Sequence, residues 1–165
     1  MKRIPIHAGS IRVTAARAGT ARQPTAIVGE MLEAEGRWRV DEFPGKVQER
    51  RRALQQLVGD LRRAGKRVVG YGAAGRSTIL LNFCGLGPDL VEYVVDMSPL
   101  RYGKYVPGVS IPIVSPDVFA ERPPDYAIMT AWNYEPEIVG KEQAFLSNGG
   151  RFIVPLPDVR IVGAL

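Results

Sequence analysis

Residues 70–76 read Gly70-Tyr71-Gly72-Ala73-Ala74-Gly75-Arg76, and the fold is decided by how this stretch is read. Its first six residues fit the pattern G-x-G-x-x-G. Immediately upstream, Arg67-Val68-Val69-Gly70-Tyr71 is short and rich in β-branched side chains, as a strand should be. Downstream, Ser77 to Phe83 is apolar and is expected to be a helix. Glycines at such a junction permit the tight turn and let a ligand approach the backbone. The free N–H groups of the helix's first turn attract anions. Asp96 lies about 20 residues beyond Gly75, at the end of the next strand, where an acid commonly accepts hydrogen bonds from a ribose. Arg76, directly after the turn, adds a cation and favours phosphate or pyrophosphate. Beside this stands a plainer reading, in which the turn only packs helix on strand.

The flanking sequence alternates the two kinds of element. Before the turn, Val47, Leu54, Leu57, Val58 and Leu61 recur at helical spacing, which predicts a helix over 46–64 with Gly65 as its C-cap. After it come a second strand, Val91 to Val95, a Gly/Pro-rich loop over 101–108, and a third strand over 111–114. A short helix over 116–120, a fourth strand over 126–130, a helix over 135–146 and a fifth strand over 151–154 follow. Strands alternating with helices imply parallel pairing through right-handed crossovers. The expected fold class is therefore α/β: a Rossmann-like, open, mostly parallel sheet of about five strands with helices on both faces. Residues 1–45 form an N-terminal extension with a short strand over 11–14 and a helix over 26–35, and residues 46–165 form the Rossmann-like domain.

Composition restricts the function without naming it. The chain has 165 residues, 45% hydrophobic and 24% charged, the size and balance of one ordinary globular domain. No apolar run reaches the roughly 18–20 residues a membrane span needs, and MKRIPIHAGS has no apolar stretch behind its charges, so no signal peptide is expected. Cytoplasm is the expected compartment, with no membrane partner. The single Cys84 excludes an internal disulfide and a cysteine-built zinc cage. The net charge of +5 favours anionic ligands. The run Arg50 to Arg52, with Arg62, Arg63, Lys66 and Arg67, reads first as a solvated helix face, and no nucleic-acid motif accompanies it.

Several other residues are candidates for a site. Lys104, in the Gly/Pro-rich loop, is either a second cation for a phosphate or a solvated lysine. Trp132 and Asn133 follow the fourth strand, at the carboxyl edge where open α/β sheets hold ligands. The indole could stack on a base or sugar and the amide could read hydroxyls, or Trp132 could simply pack in the core. His7 is the only histidine, so no Ser/His/Asp triad or multi-histidine metal site can be assembled without a partner's help.

Five segments then match one pattern in order: IPIHAGSIRV (4–13), KRVVGYGAAGRSTILLNF (66–83), VVDMSPLRYGKYVPGVSIPI (94–113), AWNYEPEI (131–138) and GGRFIVPLP (149–157). On these the chain resembles the C-terminal domain of the S-adenosylmethionine-dependent sugar C-methyltransferases, which methylate a carbon of a nucleotide-linked deoxysugar. The resemblance implies a three-part enzyme: a zinc-binding segment, a methyl-donor domain, and this second Rossmann-like domain, with the sugar in the cleft between the last two. The family's cysteine zinc ligands and its Tyr-x-Glu-His motif, which carries the general base, have no counterpart here. Ala8 replaces the first glycine of the family's His-Gly-Gly-Ser segment, and Arg76 and Arg101 stand where lysines are usual.

The resemblance implies a substrate-side domain that binds no cofactor itself. S-adenosylmethionine would be held by a methyl-donor domain in cis or in trans. The nucleotide diphosphate sugar would be held through Gly72, Ala73, Gly75, Arg76 and Ser77, with Asp96, Lys104, Trp132 and Asn133 as further substrate contacts. No catalytic residue is assigned to the chain. Two other readings stay open. One is an NAD(P)-binding Rossmann domain of an oxidoreductase, although no Tyr-x-x-x-Lys pair is present. The other is a non-catalytic interaction domain with an exposed apolar patch.

Overall fold

The computed structural model of the protein describes residues 1–5, 9–20 and 23–163. His7 and Ala8 lie outside the described residues. The chain divides into two compact units, Met1–Gly45 and Lys46–Leu165. In the first, β1 (Lys2–Ile4) and β2 (Ser10–Arg12) pair antiparallel, and α1 (Ala26–Gly36) follows.

Next come α2 (Phe43–Arg63), β3 (Val68–Tyr71), α3 (Gly75–Phe83), β4 (Val94–Val95) and β5 (Ile113–Val114). Then follow α4 (Pro116–Glu121), β6 (Tyr126–Met129), α5 (Glu135–Lys141), α6 (Gln143–Ser147), β7 (Arg151–Val154) and β8 (Arg160–Val162). The stripe on α2 buries Leu54 and Val58. It ends at Gly65, whose φ of +73° lets Lys66 N–H reach back to the Leu61 carbonyl at 3.0 Å. The sheet runs β5-β4-β3-β6-β7-β8, parallel except where β8 joins β7 antiparallel. From β3 the chain builds outward to β5, then returns to lay β6 on the other side. The order reverses between β3 and β6, and at such a switch point an open α/β sheet forms a crevice outside the carboxyl ends of its strands.

Strand residues alternate between two cores. Val68, Val94, Ile113, Ile128 and Ile153 face the layer of α2 and α3, where Leu54, Val58 and Leu81 meet them. Val69, Tyr71, Val95, Met129, Phe152 and Val154 face the opposite layer, against Phe119 of α4, Ile138 of α5 and Phe145 of α6. Burial on both faces is what a parallel sheet covered by helices requires. The Tyr71 ring lies edge-on to Phe119 and to Phe152, each at 5.6 Å between centroids. Each such pair contributes roughly 0.5–1.5 kcal/mol beyond area burial. These contacts fix the end of β3, from which the glycine turn departs.

The second strand, expected over Val91–Val95, is only Val94–Val95, and three further elements differ from expectation. The sheet gains a sixth strand, β8, and β2 gains its partner β1; both are only three residues long, too short to show a period. The single helix expected over 135–146 is broken at Glu142 (φ −96°, ψ 34°). Gly140 weakens the helix just before the break, and the Glu142 carboxylate turns inward to accept the Tyr71 hydroxyl at 2.6 Å. Among the described residues no helix is long and apolar enough to cross a membrane.

Candidate functional site at the carboxyl edge of the sheet

The turn is held by bonds from both neighbouring strands. Gly72, at φ +100°, donates its N–H to the Val95 carbonyl at 2.7 Å. Ala73 donates to Asp96 Oδ2 at 2.6 Å. From the other side, the Thr130 hydroxyl lies within donating reach of two carbonyls, those of Tyr71, at 2.7 Å, and Gly72, which share its one proton. Helix α3 begins at Gly75 with no side-chain cap at Ala74. Ser77 is fully buried and closes the first turn, its N–H and its Oγ both donating to the Ala74 carbonyl at 2.9 and 2.6 Å. Helix geometry leaves the N–H groups of Gly75 and Arg76 without an intrahelical acceptor, and they sit at the positive end of the helix dipole.

Arg76, Trp132 and Asn133 come together beside these groups. The Arg76 guanidinium donates to Asn133 Oδ1, and its Cζ lies 5.7 Å from the centre of the Trp132 indole, inside the range of a cation–π contact. Trp132 and Asn133 are carried there by a single 3-10 turn, Trp132–Tyr134, which Thr130 and Ala131 connect to β6. Asn133 Nδ2 is buried and has no hydrogen-bond partner among the described residues. A buried donor of that kind is costly unless something satisfies it.

Next to this cluster lies a pocket of about 510 Å³, lined by Tyr71, Gly72, Asp96, Arg101, Tyr134 and Lys141 among others. It occupies the crevice over the switch point and has a volume suited to a small ligand. Its two cations are each matched by an acid. Arg101 Nη1 binds both oxygens of Asp96 at 3.0 and 2.9 Å, while Lys141 lies near Met97 Sδ at 2.6 Å and the Glu142 carboxylate at 3.7 Å. Burial, reinforced by the bond to Glu142, pushes the Tyr71 phenol well above its ordinary pKa of 10.0, so the wall of the pocket presents a neutral ring.

Of the residues singled out from the sequence, Gly72, Ala73, Gly75, Arg76, Trp132 and Asn133 converge on one edge. Asp96 is also there, but its oxygens accept from Ala73, Ser98 and Arg101. Ser77 shapes the turn from inside. Lys104 is set apart: its carbonyl accepts from Ile113 N–H at 2.8 Å, which places it along the edge strand β5, two strands from β3. Tyr134 and Lys141 were not anticipated. Lys141 stands four residues after Glu137, another lining residue, so the two share one face of α5.

The sequence profile of the C-methyltransferase C-terminal domain matches residues 5–157. The chain belongs to that family. C-methyltransferase NovU of Streptomyces niveus is 41% identical to it, over an alignment covering 96% of this chain and 39% of NovU. The chain thus spans about two-fifths of the length of that relative. For a C-methyltransferase C-terminal domain, the edge just described gathers a helix N-terminus, a cation, an aromatic ring and an unsatisfied amide donor in one place.

Proposed function

We propose that this domain holds the nucleotide diphosphate sugar of an S-adenosylmethionine-dependent sugar C-methyltransferase. The observation that carries the reading is the convergence of Arg76, Trp132 and Asn133 on the start of α3 in a chain of this family. A diphosphate fits the free N–H groups of Gly75 and Arg76, with the guanidinium supplying charge-assisted bonds. The indole offers a stacking face, and the bond to Asn133 Oδ1 holds the Arg76 guanidinium beside it.

S-adenosylmethionine supplies an electrophilic methyl group in this chemistry. The residues at the glycine turn do not fit its adenosine ribose, because Asp96 is already occupied by Arg101. The donor and the base that would activate the sugar carbon are assigned to a methyl-donor domain, in cis or in trans. Ile79 and Phe83, both exposed and four residues apart on α3, offer such a domain an apolar surface.

Titration of the chain with a thymidine diphosphate sugar tests the proposal. Saturable binding is expected, weakened in Arg76→Ala by roughly 10- to 100-fold, the worth of a charge-assisted hydrogen bond. Absence of binding, or binding indifferent to Arg76→Ala, would refute it.

A further inference from the structure

The acid at the end of the second strand is the residue by which a fold of this type takes an adenosine ribose, its carboxylate accepting from the ribose hydroxyls. Here that acid is Asp96, with only 6% of its surface exposed. Its Oδ2 accepts from Ala73 N–H at 2.6 Å and its Oδ1 from Ser98 N–H at 2.8 Å. Arg101 Nη1 then reaches both oxygens, at 3.0 and 2.9 Å. A carboxylate has about four acceptor sites, so no capacity remains for a ribose. The two backbone bonds belong to the turn itself. Arg101 is the one of the three donors that is a side chain, and its guanidinium lines the same pocket as Gly72 and Ala74.

The loop that carries Arg101 is built to keep it there. Residues Pro99–Arg101 form a single 3-10 turn, with Arg101 N–H donating to Ser98 O at 3.0 Å and Lys104 N–H donating to Arg101 O at 3.1 Å. Pro99 stiffens the start of that turn. The arginine is therefore delivered to Asp96 by the backbone, five residues on, rather than folding onto it from a free loop.

We infer that Arg101 is a specificity-determining residue: it takes the place of a ribose diol on Asp96 and keeps dinucleotides and other adenosine cofactors off a glycine turn whose sequence would otherwise admit them. The inference goes beyond the nucleotide-sugar reading and does not depend on it. Removing the arginine uncovers a carboxylate already aimed by the turn. Removing the carboxylate as well abolishes the gain.

The test is titration of the full 165-residue chain with NADH, followed by its fluorescence, and with ADP-ribose by calorimetry. Arg101→Ala is expected to bind both at least about tenfold more tightly than the unsubstituted chain, one ribose–carboxylate contact's worth. Arg101→Met, which keeps the aliphatic stem, should show the same gain should the alanine variant fail to fold. The double variant Arg101→Ala/Asp96→Asn should return to the starting affinity. A folded Arg101 variant that binds no better than the unsubstituted chain would overturn the inference. So would an unsubstituted chain that binds NADH as tightly as the variant, or a gain that survives Asp96→Asn. A structural ion pair alone would lower thermal stability without creating NADH affinity. Failure to bind a thymidine diphosphate sugar would strike the proposed function and leave this inference standing.

Discussion

Alanine placed at Gly72 and at Gly75 separates two jobs that a single motif conceals. Gly72 sits at φ +100°, where an L residue carries roughly 1–2 kcal/mol of backbone strain. A Cβ there would lie 3.2 Å from Thr130 Oγ1 and 3.3 Å from Ala131 Cβ. Thr130 cannot yield freely, since its hydroxyl bonds the carbonyls of Tyr71 and Gly72; losing that bond costs about 1 kcal/mol more. Alanine recovers a little by restricting the unfolded chain, roughly 0.4–1 kcal/mol. The net expectation for Gly72→Ala is a loss of about 1–3 kcal/mol, or roughly 2–12 °C in Tm for a chain of this size. Gly75 is the first residue of α3 and has no left-handed φ, and a Cβ there meets nothing within 4 Å. Gly75→Ala should therefore be neutral or stabilising by up to about 1 kcal/mol. Urea unfolding of both variants, followed by far-UV circular dichroism, measures the difference. A Gly72→Ala variant within about 0.5 kcal/mol of the unsubstituted protein, or two variants that shift the same way, would refute this division of roles.

Gly70→Ala should cost roughly 1–3 kcal/mol by overpacking, because its Cβ would come within 2.9 Å of the fully buried Val94 side chain. In a double-mutant cycle, Val94→Ala should relieve part of that cost, so that the double variant is more stable than the sum of the singles. Tyr71→Phe should destabilise by about 1–2 kcal/mol at neutral pH, as the Glu142 carboxylate loses its 2.6 Å partner. Since burial and Glu142 raise the Tyr71 pKa above 10.0, the phenol's contribution is present below about pH 10 and is lost as pH rises beyond it. The stability gap between the unsubstituted protein and Tyr71→Phe should therefore narrow above pH 10, by up to about 1.4 kcal/mol per pH unit; a gap constant from pH 7 to about 11 would contradict this.

The parts of the fold legible in the sequence were those with a strong local signal. The α2 stripe with Gly65 behind it, the β-branched run of β3 and the glycine turn all keep their identity because local preference and packing agree. β8 and β1 carry three residues each, and only the neighbouring strand makes them strands. The break at Glu142 depends on Tyr71, 71 residues away, so no local window contains its cause. The same division runs through the site. Arg76, Trp132 and Asn133 could be placed at one edge because each directly follows a strand or turn that was itself readable. Lys104 could not be placed, because the course of its loop follows from pairing with Ile113 across the edge of the sheet.

Asp96 shows why a fingerprint predicts shape better than occupant. The glycines act through backbone geometry, and that geometry is present: a left-handed Gly72, a helix starting at Gly75, an acid at the end of the second strand. None of those features determines whether the acid faces a ligand. That is decided by Arg101, five residues further on, whose guanidinium brings the accepted hydrogen bonds on the Asp96 carboxylate to four. An arginine in a polar loop carries no periodicity and matches no glycine spacing, so its effect on Asp96 emerges only when β4 and the 3-10 turn after it are placed together. The proposed nucleotide-sugar site lies instead on the β6 side of the sheet edge. There Arg76 is held against Trp132 and bonded to Asn133, whose Nδ2 has no partner among the described residues. A fold can therefore keep the glycine turn of a dinucleotide site intact while one arginine fills the acceptors of its acid and another places positive charge at the helix start.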